Sequence, residues 1–288
     1  AMTAPEEPVP PAPLGPGSFL WDYSGLRLAA ITDISAFVLQ AMHPAIGAAA
    51  ERLTDLDTRR LSRAVHDFVS IRPWVYGEQG TRHLLPAGPL AWAHLATFYV
   101  TVTAARYFSA EPMTLDREQR IFEEFLLLGR LRGVPARMLP STMADYWAYF
   151  EDMLTHTLVP HPVAHRVLDR LGGFSSTVPV TLRPLLVPFG LRGGWFTHLV
   201  TVGTLPQAAR TKLGLTWTAD DEHRLRAVGT LFTRVLPHLP ERLRYAPSAY
   251  QARRTSRMQR SPRGPRHLRL TDTCPVVAGC RGVRRAVR

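Results

Sequence analysis

The chain has 288 residues, 45% of them apolar, enough to bury one large core. Its formal charge is +12, but residues 255–288 hold nine arginines against Asp272 and supply +8 of it, so the body is not a basic nucleic-acid-binding fold. Both cysteines, Cys274 and Cys280, lie in that same stretch; this excludes disulfides, thiolate ligands and cysteine nucleophiles from the body and fits a reducing cytoplasm.

Residues 1–17 read as a Pro-rich lead-in without the basic and apolar regions of a signal peptide. Helical periodicity follows. The first strong helix spans 26–42 and yields at Pro44 to a short one over 45–53. Asp57 is a candidate N-cap for a helix to Ile71, which Arg72-Pro73 stops. Residues 77–88 read as loop, and Pro89 sits in the first turn of a long helix to Phe108. The most apolar stretch, 84–102, is broken by Pro86, Gly88, Pro89 and His94, and 26–42 carries Arg27 and Asp33, so neither is expected to span a membrane.

Thr114 is expected to cap a helix to Gly129, and Gly133-Val134-Pro135 to break the pattern. Ser141 is expected to cap a helix through Thr157. A short helix begins at Pro162 and ends at Gly172-Gly173; 175–180 is loop or a short extended piece. Further helices cover 192–203, 206–213 and 219–236. The pattern predicts an all-α fold: one globular domain of about ten helices over 18–254, followed by an Arg-rich disordered tail over 255–288.

Gly-rich phosphate loops, nucleophile elbows and H-E-x-x-H motifs are absent from the sequence. All but one of the 35 basic residues are arginine; Lys212 is the exception. Histidines are left as the chemistry-bearing side chains. On the 57–71 helix, Leu61, Val65, Phe68 and Val69 form an apolar stripe with His66 one residue off it, and Arg59 and Arg63 share the His66 face. One imidazole for iron and guanidinium groups for propionates would suit a haem; a partly exposed histidine on a charged face is the competing assignment. His94, among Trp92, Leu95, Phe98 and Tyr99, is either a core histidine bonded to a carbonyl or a group facing a cofactor. His43 precedes Pro44 at a helix junction, where it can serve a helix end. His161, His165 and Asp169 recur at i, i+4 and i+8, but the ends are ~12 Å apart along a helix, too far for one ion. The aromatic run Tyr146, Trp147, Tyr149 and Phe150 can be core or can wall a flat cofactor.

Several ordered stretches are familiar together: 39–47 (LQAMHPAIG), 60–63 (RLSR), 92–94 (WAH), 133–135 (GVP) with 139–140 (LP), 149–154 (YFEDML), 201–206 (TVGTLP), 213–217 (LGLTW), 236–237 (LP) and 242–245 (RLRY). In this order the chain resembles the haem oxygenase family of latex-clearing protein (rubber oxygenase) and the MpaB-type oxygenases, over about 17–254. The resemblance implies an all-helical fold holding haem b through a histidine. It also implies reaction of O2 or a peroxide with a small apolar or aromatic molecule, such as a natural-product intermediate. It places the ligand at His66, with Arg60 and Arg63 on propionates or on the distal side, and His94 and His43 lining the pocket. The family spaces its Arg-Leu-x-Arg element well before the ligand; here about 20 residues are missing between them, which leaves His94 as the alternative ligand. The distal lysine of the rubber-cleaving members has no counterpart. The rival readings are a helical binding protein without haem and a nucleic-acid-associated protein acting through its tail.

Overall fold

The computed structural model describes residues 14–52, 58–76, 85–171 and 194–260. Among them are fourteen α-helices and no strand: α1 Phe19–Ser24, α2 Ala29–Ala41, α3 Pro44–Ala50, α4 Thr58–Val69, α5 Arg72–Tyr76, α6 Ala87–Phe108, α7 Leu115–Leu131, α8 Met143–Asp152, α9 Pro162–Asp169, α10 Gly194–Gly203, α11 Gln207–Lys212, α12 Ala219–Val235, α13 Glu241–Arg244 and α14 Pro247–Arg260. The all-α expectation holds. The helices beyond the ten expected are α1, α5, α13 and α14, all short or poor in apolar residues.

The centre of the fold is α2, packed against α3, α4, α6, α9 and α10. Its sequence is apolar on every side, and all its residues but Ala30 and Asp33 are buried; a helix without a polar face must be enclosed by others. The long α6 is buried from Ala91 to Ala105 almost without a break. Among the described residues no single helix is long and apolar enough to cross a membrane; α2 and α3 together are, but they meet at a 116° bend.

The ends of the helices follow local chemistry. Thr114 caps α7 by accepting from the Arg117 amide at 3.3 Å. Thr142, one residue after the expected Ser141, caps α8 and forms a capping box with Asp145. The acid three residues after the cap decides between two neighbouring hydroxyl residues. After α7 the Val134 amide reaches Gly129 O at 2.9 Å and the Gly133 amide reaches Arg130 O at 3.0 Å, with Gly133 at φ +83°. Gly214, φ +67°, closes α11 with the same pair of bonds. Both need the left-handed conformation that glycine adopts without strain.

The dense aromatic helix α8 is core. Tyr146 is fully buried and donates to Leu95 O at 3.3 Å. Its ring meets Phe98 edge-on at 4.7 Å, while Phe150 stacks on Tyr99 at 4.6 Å. Such pairs add ~0.5–1.5 kcal/mol each beyond the burial of their area. Beyond α8 the chain makes one π-helical turn, Met153–Thr157, whose end is held by the only lysine: Lys212 Nζ donates to Leu158 O at 2.8 Å and Thr155 O at 3.2 Å.

The domain boundary expected at residue 254 falls inside α14. Arg253 of that helix binds Asp22 of α1 at 2.6 Å, fastening the C-terminal helix to the start of the fold. The expected features at 1–13, Asp57, 77–84, 175–180 and 261–288, with Cys274 and Cys280, lie outside the described residues.

Candidate functional site

The stripe of α4 behaves as its periodicity requires. Leu61, Val65 and Val69 are fully buried, and Phe68 meets Phe37 of α2 edge-on at 5.7 Å. His66, one position off the stripe, lands on the seam between α4 and α2. Its Nδ1 lies 2.8 Å from Asp33 Oδ2, and the two side chains are 25% and 13% exposed. Burial disfavours the imidazolium, but the proximity and charge of the Asp33 carboxylate outweigh it, so the His66 pKa rises. Arg72, at the start of α5, pushes the other way. The ring is thus neither the exposed surface histidine nor a sealed core one. A carboxylate stands at ion-pair distance from Nδ1, although the geometry there falls short of a hydrogen bond.

Asp33 also acts on Arg132, the C-cap residue of α7. Burial brings that guanidinium down to about 10, and the charge of Asp33 opposes the fall. Arg132 Nη1 is buried without a hydrogen-bond partner, as is Arg72 Nε. The charge of Arg132 in turn reaches His94. A thread of electrostatic influence, with an ion-pair distance at His66–Asp33, links His66, Asp33, Arg132 and His94.

At the inner end of the thread, His94 is completely buried. Its Nε2 lies 2.8 Å from Phe125 O, and since a carbonyl only accepts, Nε2 carries the proton. Burial, then Arg132, lowers its pKa to about 3, keeping the ring neutral. Its Nδ1 is a buried acceptor without a partner. A Cβ on Gly129 would stand 2.8 Å from His94 Nε2, so only a glycine lets α7 come this close to the ring.

The remaining sequence candidates are dispersed. Arg60 and Arg63 are exposed on the outer side of α4, and the side chain of Arg59 lies outside the described residues. His43 caps α3, its Nδ1 accepting from the Ala45 amide at 3.2 Å; burial lowers its pKa. It lies ten residues beyond Asp33 along α2 and its cap, roughly 15 Å away at 1.5 Å per residue, so it does not join His66. His161 caps α9 in the same way, 3.3 Å from the Val163 amide, and no group of three metal-ligating side chains occurs among the described residues. Asp33 and Arg132 went unnoticed as site residues in the sequence. Asp33 stood there only as a charge against a membrane span. Arg132 had one signal, its place beside the Gly133-Val134-Pro135 break.

No curated protein and no solved structure matches this chain. A family description does: that of the ER-bound oxygenase mpaB/B'/rubber oxygenase catalytic domain, over residues 79–234. The matched span begins after α5, so it contains His94, Gly129 and Arg132 but not His43, Arg60, Arg63 or His66. It covers more than half of the chain and runs from before α6 nearly to the end of α12, the helices that enclose the inner end of the polar thread, and on that ground the chain belongs to the mpaB/rubber oxygenase catalytic-domain family.

Proposed function

We propose that the chain is a haem b-dependent oxygenase whose iron is held by His66, acting with O2 or a peroxide on a small apolar or aromatic molecule such as a secondary-metabolite intermediate. The observation that carries this reading is the Asp33 carboxylate 2.8 Å behind His66 Nδ1. A ligand histidine commonly gives its second nitrogen to a carboxylate, which sets the tautomer, orients the ring and raises its basicity.

Donor chemistry near the seam supports this reading. His66 offers Nε2 at the α2–α4 seam. Arg132 and Arg72 carry buried N–H groups without partners, the donors that propionate oxygens require. Val65 and Val69 of α4 and Phe37 of α2 are buried where these two helices pack. Bound there, haem would supply the iron at which the oxidant is activated. The chain's own part is to hold His66 Nδ1–H on Asp33, to keep the seam dry and to neutralise the propionates. Arg60 and Arg63, on the outer side of the same helix, belong to the rim. His94 is the alternative ligand, through its unpartnered Nδ1; His66 is preferred because His94 is sealed.

Titration of the purified chain with haemin, followed by its Soret absorption, tests the reading on wild type, His66→Ala and His94→Ala. A saturable band lost in His66→Ala and kept in folded His94→Ala supports it. Loss in His94→Ala alone moves the ligand to the inner histidine. The absence of a Soret band in wild type with excess haemin rejects haem dependence.

A further inference from the structure

A separate cavity, lined in part by Tyr23, includes neither His66 nor Asp33 in its walls. Where α1, the end of α6, the end of α12 and α13 converge, they leave a cavity of about 320 Å³. This is the low end of the range for small-molecule sites, about 300–1,000 Å³. Its walls are aromatic: Phe19 and Tyr23 of α1 stack at 5.2 Å, and Phe108 of α6 meets Phe232 of α12 edge-on at 5.9 Å. It holds no histidine and none of the residues proposed to bind haem.

The charges at its rim are uneven. Asp22 is neutralised by Arg253 at 2.6 Å. Arg117 is spent on the 109–113 turn, giving hydrogen bonds to the Glu111 and Pro112 carbonyls and lying 3.4 Å from the Glu111 carboxylate. Arg244 alone of these rim charges has no carboxylate partner among the described residues. It lies over the Tyr245 ring at 5.6 Å, and its Nε is buried without a hydrogen bond. A guanidinium left uncompensated beside an apolar slot favours a ligand that brings the missing anion. A planar carboxylate matches its fork, and a ring matches the aromatic walls.

We propose that this cavity binds a small aromatic carboxylate, with Arg244 as the anchor of the anion and the Phe108–Phe232 wall as the seat of the ring. An aliphatic cation would meet Arg244 unfavourably. A neutral aromatic would leave the Arg244 Nε as it is now, buried and without a hydrogen bond, so the site should select for charge as well as shape.

Calorimetric titration of the full chain with phenylacetate and with its neutral isostere phenylacetamide tests this directly. Wild type should bind phenylacetate at least about tenfold more tightly, the scale of one charge-assisted hydrogen bond. Arg244→Gln should erase that preference, while Arg242→Gln, exposed on the same helix, should keep it. Thr233→Trp, placing an indole across the mouth, should weaken both ligands; if it does not fold by circular dichroism, the arginine pair still decides. Equal affinity for the two ligands, no saturable binding of phenylacetate at millimolar concentration, or a preference that survives in Arg244→Gln each overturns the proposal. The titration is repeated after adding haemin. Failure of haem binding leaves the outcome here unchanged, since the cavity uses none of the haem-binding residues.

Discussion

His66 and His94 are joined by one thread of charge but live in different solvents. The first lies on a helix seam, a quarter exposed, with a carboxylate raising its affinity for a proton. The second is enclosed by α6 and α7, bonded to a carbonyl and held neutral by burial and by the charge of Arg132. The difference separates two uses of one side chain. A half-open imidazole backed by Asp33 can hand its other nitrogen to a ligand, whereas a sealed one joins two helices and cannot be protonated cheaply. Ligation and stability should therefore come apart at these two positions.

Acid is expected to expose the largest difference. With its folded pKa near 3 against 6.5 for the free side chain, the unfolded chain takes up a proton that the native His94 refuses. The His94 contribution is whole above pH 6.5 and drains as pH falls towards 3, at about 1.4 kcal/mol per pH unit, on the order of 5 kcal/mol in all. His66 has the opposite sign: its raised pKa lends stability below pH 6.5 that is lost as pH rises through its folded value. Urea midpoints measured across this range should fall steeply on the acid side in wild type and much less in His94→Leu. An unchanged acid slope in that variant would show that His94 is not held neutral by the fold.

Truncation comes next in size. His94→Ala leaves a cavity beside Phe125 and should cost about 3 kcal/mol. Gly129→Ala, which drives a methyl to 2.8 Å from His94 Nε2 and 3.0 Å from a Leu139 methyl, should cost about 1–3 kcal/mol by overpacking. His66→Ala should move thermal stability less than either and yet remove haemin binding. The two regions would lose their distinction if His66→Ala proved the more destabilising change. Asp33→Asn tests the outer pair more finely. It keeps the shape and removes the charge, so haemin affinity should drop about 10–100-fold, and the stability that His66 lends below pH 6.5 should go with it. Haemin affinity equal to wild type would detach Asp33 from the ligand.

The inner region was easier to read in the sequence than the outer one. Dense apolarity over α2 and α6 announces enclosed helices, and His94 inside α6 is expected to be buried with them. Thr114, Gly133 and Pro162 mark helix ends because caps and breakers act within a few residues. The half-open region depends on meetings that no local pattern encodes. Asp33 and His66 are 33 positions apart on different helices, and the sign of the His66 shift is set by that meeting. Arg132 is drawn inside by the turn after α7 and owes its environment to α2. The helices α1, α5, α13 and α14 escaped for a related reason. They are too short or too polar to show a stripe, and contacts such as Arg253–Asp22 and Tyr76 to Trp21 O hold them in place.

Lys212 gives the smallest effect and closes the comparison from outside. In a chain with one lysine, an ammonium acting on the oxidant would have to be this one. The structure instead fixes its Nζ on the Leu158 and Thr155 carbonyls at the end of the π turn, where it satisfies acceptors that the helix leaves free. Lys212→Met keeps the stem and removes both bonds. It should lower stability by ~1 kcal/mol, the net worth of a partly exposed charged hydrogen bond, and leave the haemin titration and its pH dependence as in wild type. A changed Soret band in this variant would bring the ammonium into the haem environment and end the division between a structural edge and a ligand-holding seam.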